Sequence, residues 1–111
     1  MSMVQTTSIP NIVKEVEVPK DGTLSRTLAH DEAVKVVIFG FAPGQELSEH
    51  TASVPAIMHF LEGEAEVTIG TEKYDARTGA WFYMPANTPH SIHAKTPVVM
   101  LLTMIKAAAA R

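Results

Sequence analysis

The chain has 111 residues and no cysteine, which rules out disulfides, thiolate metal sites and cysteine nucleophiles. Basic runs are also missing. Nine Lys and Arg are scattered among twelve Asp and Glu, for a net charge of −3. Nucleic-acid phosphates require clustered cations, so no nucleic-acid partner is expected. The longest apolar stretches fall far short of the about 20 residues that a membrane-spanning helix needs, and no membrane partner is expected. The opening MSMVQTTSIPNIVKEVEVPK lacks the basic start and long apolar run of a signal peptide, so a cytoplasmic setting is expected. A phosphate-cradling glycine loop, Gly-x-Ser-x-Gly and His-Glu-x-x-His are all absent. Helix signals are scarce, and the KAAAAR tail (106–111) is too short to hold a helix alone and is expected to fray.

Strand signals dominate what remains. The run AVKVVIFGF (33–41) is rich in β-branched residues and reads as a buried strand. EAEVTIG (64–70) alternates, with Ala65, Val67 and Ile69 on one face and Glu64, Glu66 and Thr68 on the other. AWFYMP (80–85) and HSIHA (90–94) read as short strands, and IVKEVEV (12–18) has a partial period of two. PVVMLLTMI (97–105) is apolar throughout, so it is either a strand buried on both faces or one covered by a partner. Turn formers separate these runs, notably Pro43-Gly44, Thr78-Gly79 and Pro85-Ala86-Asn87-Thr88-Pro89. Many short strands between turns indicate an all-β sandwich or barrel. With 46% hydrophobic residues the chain can build one continuous core. One domain is expected: an N-terminal strand-forming segment (1–32), paired at home or exchanged with a partner, and a barrel over 33–105.

Chemistry-bearing residues centre on five histidines, His30, His50, His59, His90 and His93. His50 and His90 each open out of a rigid Pro/Gly turn, where loops on a scaffold present functional groups. The spacing around these two resembles the paired motifs of the cupin superfamily. Gly44, five residues, His50 and later Gly63 follow the first motif, with Ala52 in its second His place and Ala56 in its Glu place. Gly79, Pro85 and His90 follow the second, with Asn87 in a Gly place and Ala94 in the Asn place. The resemblance implies a double-stranded β-helix, the jelly-roll barrel of RmlC-like proteins, commonly a homodimer around a small-molecule ligand.

It also implies a divalent transition metal, such as Zn, Fe, Ni or Mn, held by three His and one Glu. Here His50 and His90 survive from that set. Alanine has no lone pair, and stable protein sites usually supply at least three ligands. His59 is the candidate third ligand. On a regular strand it faces away from position 56, and a bulge would reverse that. Pocket candidates are Glu46, which shares strand parity with His50, together with Met58, Phe60, Phe82, Tyr83 and Met84. Of the pairs Trp81/Tyr83 and Phe82/Met84, one must line the barrel. His30 and His93 read as surface histidines. Two functions stay open: a metal-dependent dioxygenase, isomerase or decarboxylase type, or a metal-free barrel that binds or senses a small molecule. Metal-free acid/base chemistry by a His and Tyr83, as in the cupin-like sugar-nucleotide epimerases, ranks behind both, because the chain lacks a basic cluster for a diphosphate.

Overall fold

Residues 5–106 are described by a computed structural model; residues 107–111 of the tail expected to fray lie outside them. A 3₁₀ turn at Ile12–Glu15 precedes nine strands. These are β1 (Thr23–His30), β2 (Val34–Phe41), β3 (Glu46–His50), β4 (Ala56–Glu62), β5 (Ala65–Ile69), β6 (Glu72–Ala76), β7 (Trp81–Met84), β8 (His90–Ala94) and β9 (Val98–Ile105). They build a five-stranded sheet in the order β1-β2-β9-β4-β7 and a four-stranded sheet in the order β3-β8-β5-β6. From β2 onward each strand crosses to the opposite sheet, except at the β5–β6 hairpin. That is the path of an eight-stranded jelly roll, here with β1 added at one edge.

The core lies between the sheets and follows the period of two. Along β4, Ala56, Met58 and Phe60 are buried while Ile57, His59 and Leu61 between them are only half-buried. The facing sheet contributes Val67, Ile92 and Ala94. Cross-strand register stacks these residues in rows. Phe39, Met100 and Phe60 share one row, and Val37, Leu102, Met58 and Phe82 share the next. Phe39 stacks on Phe41 at 5.7 Å, and Phe82 meets both Phe60 and Tyr74 edge-on at 6.0 and 5.4 Å. Tyr74 on β6 and Phe82 on β7 therefore close the side of the barrel where the two sheets are not hydrogen-bonded.

The N-terminal segment departs from its sequence pattern. Residues 12–18 do not form a strand. A 3₁₀ turn occupies 12–15, and the chain then runs over the outer face of the five-stranded sheet. A Cβ on Gly40 would stand 3.0 Å from the Glu17 carbonyl oxygen and 3.2 Å from Val18 Cα. The missing side chain thus lets backbone lie directly on the sheet, and Ile38 and Val99, on that outer face, are fully buried. Arg26 reaches Glu15 at 3.5 Å across the same seam. The strand of this N-terminal region is β1, which pairs antiparallel with β2 of its own chain. β9 is apolar on both sides: Met100, Leu102 and Met104 point inward, and Val99, Leu101 and Ile105 point outward.

Gly63 joins β4 to β5 with φ +91, and a Cβ there would stand 2.1 Å from the Pro97 carbonyl oxygen. Backbone cannot yield as a flexible side chain can. Gly63→Ala is therefore expected to cost about 3 kcal/mol. Gly44→Ala, at φ +84 with open space around it, should cost about 1–2 kcal/mol from the left-handed backbone alone. Urea unfolding of both variants checks the difference.

Candidate functional site

Two loops carry the chain from one sheet to the other at the same end of the barrel. Residues 51–55 run from β3 to β4, and residues 85–89 run from β7 to β8. They are tied side by side: the Asn87 N–H donates to the Ala52 carbonyl at 2.7 Å. Asn87 adopts φ 63, the left-handed conformation that asparagine tolerates best after glycine. The Thr88 hydroxyl donates to the Pro85 carbonyl at 2.7 Å, and the Pro89 carbonyl accepts from the Gly70 N–H at 2.8 Å. Each loop has one foot in each sheet. The feet in the four-stranded sheet are His50 and His90, which are cross-strand partners. Those in the five-stranded sheet are Ala56 and Met84, also partners.

A bulge turns His50 inward. Leu47 pairs with Ile92 and His50 with His90, so three steps along β3 match two along β8. The extra residue puts Leu47 and His50 on the same face despite their odd separation. Leu47 packs against the core, and the His50 and His90 ring centroids lie 4.1 Å apart with the rings tilted by 57°. His90 is buried at 4% exposure, whereas His50 stands at the open rim.

Both rings are oriented in the same way. Nδ1 of His50 lies 2.8 Å from the Ser48 carbonyl oxygen, and Nδ1 of His90 lies 2.9 Å from the Thr88 carbonyl oxygen. A carbonyl only accepts, so each Nδ1 carries the hydrogen and donates. Each neutral ring then keeps its lone pair on Nε2. Among the described residues no buried polar side-chain atom is left unpaired, so Nε2 of His90, which meets no hydrogen-bond partner there, keeps some contact with solvent. A backbone carbonyl on Nδ1 is the support that fixes imidazole tautomer and direction in metal sites. The pair has the form of two preset nitrogen donors.

The remaining candidates divide between the two faces of the sheets. His59 pairs with Trp81 and Leu101 on the outside of β4. The strand is regular from Ala56 to Phe60 and its bulge comes only after Phe60, so His59 does not join His50 and His90. No group of three His, Asp or Glu fit to hold a metal occurs among the described residues. Glu46 also leaves the barrel, because the bulge breaks its parity with His50. It lies 3.7 Å from His93 and helps wall a polar groove of about 330 Å³ on the outer face of the four-stranded sheet, with Ser48, Glu66 and Ser91. Tyr83 points outward at 50% exposure beside Trp81 at 58%, which makes Phe82 and Met84 the inward pair. Met58, Phe60 and Phe82 fill the barrel as packed core. His30 is exposed at the end of β1, where Nζ of Lys106 donates to its Nε2 at 2.8 Å.

Three residues at the mouth were not singled out in the sequence. Met104 is the other cross-strand partner of Ala56, so the row facing the histidines reads Lys35, Met104, Ala56, Met84. Lys35 is half-buried in that row, and Tyr74 covers the side. The apolar run 97–105 hid the parity of Met104. Lys35 sits in a strand that is otherwise apolar, and that is a signal the sequence did contain.

Residues 37–105 match the family described as Cupin domain. An uncharacterised protein of Methanocaldococcus jannaschii is 33% identical over 82 residues, a stretch covering 68% of this chain and 65% of that protein. The match thus spans just under two thirds of the relative's length. A conserved protein of unknown function from Streptococcus pyogenes superposes with a TM-score of 0.82 at 32% identity, covering 93% of this chain and 90% of its own. A cupin superfamily protein of Desulfitobacterium hafniense gives 0.83 at 24% identity over 94% and 98% of the two chains. A point mutant of salicylate 1,2-dioxygenase from Pseudoaminobacter salicylatoxidans, in complex with gentisate, gives 0.74 at 16% identity, over 80% of this chain and 26% of that one. At such identity the likeness is one of fold.

Burial pulls the His90 imidazole below the ordinary histidine value of 6.5. Its bond to the Thr88 carbonyl works against that shift, and the neighbouring His50 adds to it. The folded chain therefore binds fewer protons than the unfolded one between the lowered value and 6.5. Stability should be fully present above 6.5 and lost as pH falls toward the lowered value. Urea midpoints measured from pH 8 down to pH 5 should drop below about 6.5, and less steeply in His90→Gln.

Proposed function

The chain belongs to the cupin domain family, and on that premise we propose that it binds a small molecule at a transition-metal ion held by His50 and His90. The observation that carries this reading is the matched pair of rings, each pinned at Nδ1 with Nε2 free. Packing alone gives no reason for the inner ring, since an apolar side chain would fill the place of His90 without the cost of burying imidazole. The ion would offer a coordination position to a donor atom of the bound molecule. His50 and His90 hold and aim it, Phe82 and Met58 wall off the floor, and Ala52 and Ala56 leave room beside it. Gentisate bound by salicylate 1,2-dioxygenase supports a small organic molecule as the class of ligand. A cytoplasmic setting belongs to the same reading, as does a reaction of the dioxygenase, isomerase or decarboxylase type. A metal-free binding barrel is the second reading, favoured by the two alanines in ligand places.

Elemental mass spectrometry on untagged protein decides between the two. Near-stoichiometric metal that is lost in His50→Ala is the expected result. No metal after incubation with Zn, Fe, Mn, Ni and Cu would sink the metal reading and leave the metal-free barrel.

The same reading includes a homodimer. The outer face of the five-stranded sheet is half covered by residues 11–18. Its other half presents Trp81, Tyr83, Ile57, His59, Leu101 and Thr103, with no carboxylate, lysine or arginine among them. Aromatic and aliphatic groups dominate this half, with His59, Thr103 and, at its end, Glu62 beside them, and such a face complements a second copy of itself. Trp81→Glu with Tyr83→Glu should halve the mass seen in sedimentation; an already monomeric wild type would refute the dimer.

A further inference from the structure

The row that faces the histidine pair carries two thioethers. Met84 and Met104 are the direct cross-strand partners of Ala56, one on each side. Directly opposed residues place their Cβ atoms about 5 Å apart, so both methionine side chains leave the sheet beside the small Ala56 methyl group. Because 51–55 and 85–89 each join the two sheets at this end, the Met-Ala-Met row lies across the barrel from His50 and His90. Facing sheets stand about 10 Å apart, and an imidazole from one side and a thioether from the other each span roughly half of that. All four side chains can therefore reach one region of the mouth. Two further inward methionines, Met58 and Met100, lie in deeper rows among Phe39, Phe60 and Phe82 and serve as packing.

The chemistry of these donors differs from that of a divalent site. Imidazole and thioether are both neutral, and no carboxylate joins the two histidines in a group of three among the described residues. Lys35, half-buried at the far end of the same row, adds a positive charge. Repulsion from it scales with the charge of the ion, so it disfavours a divalent cation more than a monovalent one. Soft sulfur with imidazole selects Cu(I) over the harder ions that want carboxylate oxygen. On the reading that the histidine pair holds an ion, we infer that the ion is Cu(I), held by Nε2 of His50 and His90 together with the sulfurs of Met84 and Met104.

The test is anaerobic titration of the full chain with Cu(I) against the coloured chelator bicinchoninate, alongside a Zn titration. Wild type should withdraw one equivalent of Cu(I), and X-ray absorption should show sulfur neighbours around it. Leucine matches methionine in volume and keeps the core filled, so Met84→Leu with Met104→Leu should fold normally. That double variant should lose Cu(I) affinity about tenfold or more, lose the sulfur signal and bind Zn unchanged. His50→Ala should lose both metals. Cu(I) binding untouched by the double variant, with no sulfur signal, would overturn the inference. So would a wild type that takes Zn, Fe, Mn or Ni through His50 but not Cu(I), and in that case the broader metal reading would survive. A chain that takes no metal at all would overturn both.

Discussion

The hydrogen bond from the Asn87 N–H to the Ala52 carbonyl governs the mouth of this barrel. It ties two loops that each bridge the sheets, and so fixes which residues can meet there. With the loops locked side by side, His50 must face His90 on one sheet and Ala56 must face Met84 on the other. Proline at both ends of the second loop and the left-handed backbone of Asn87 restrict the alternatives before the bond forms. The site is thus a consequence of backbone constraints, and its side chains occupy places already determined.

Polarity is graded along the barrel axis. Stacked and edge-on aromatic rings, with methionines filling the gaps between them, close one end. At the other end the histidines sit at the boundary between dry core and open rim, one ring buried and its neighbour exposed. An inner donor shielded from water beside an outer one accessible to it suits capture of a ligand from solution followed by its partial desolvation. The outer face of the five-stranded sheet is divided in a different way. Half is covered by the chain's own N-terminal backbone at Gly40, and the other half exposes Trp81 and Tyr83, with Ile57, His59 and Leu101 half-buried beside them.

Much of this fold was legible in the sequence, for reasons that differ from strand to strand. β2, β5 and β9 announce themselves because they are central or clearly alternating. β1 and β6, with sequences TLSRTLAH and EKYDA, are edge strands with much of their length in solvent, so no apolar pattern marks them. Residues 12–18 mimic a strand in sequence, yet their burial has a period of three, with Lys14 and Glu17 exposed and the residues between them half-buried, as the 3₁₀ turn that starts the segment dictates. Sidedness was the harder problem. The segment WFYM is apolar on both faces, so only its register against Met58 assigns Phe82 and Met84 to the interior and Tyr83 to the exterior. The pairing of His50 with His90 was readable from spacing. The fate of Glu46 was not, because it depends on a bulge that composition does not reveal.

That bulge has a consequence for how such chains diverge. It works as a parity switch between Leu47 and His50. Substitutions that ironed out the bulge without changing its length would put His50 three regular steps from Leu47 and turn the imidazole to the outside of the sheet. The apolar signature, the turns and the overall barrel would all persist, and so would every histidine. Two descendants of one ancestor could then look alike in composition and outline while only one kept a working mouth. Residue inventories would not separate them, but counting steps along β3 against β8 would.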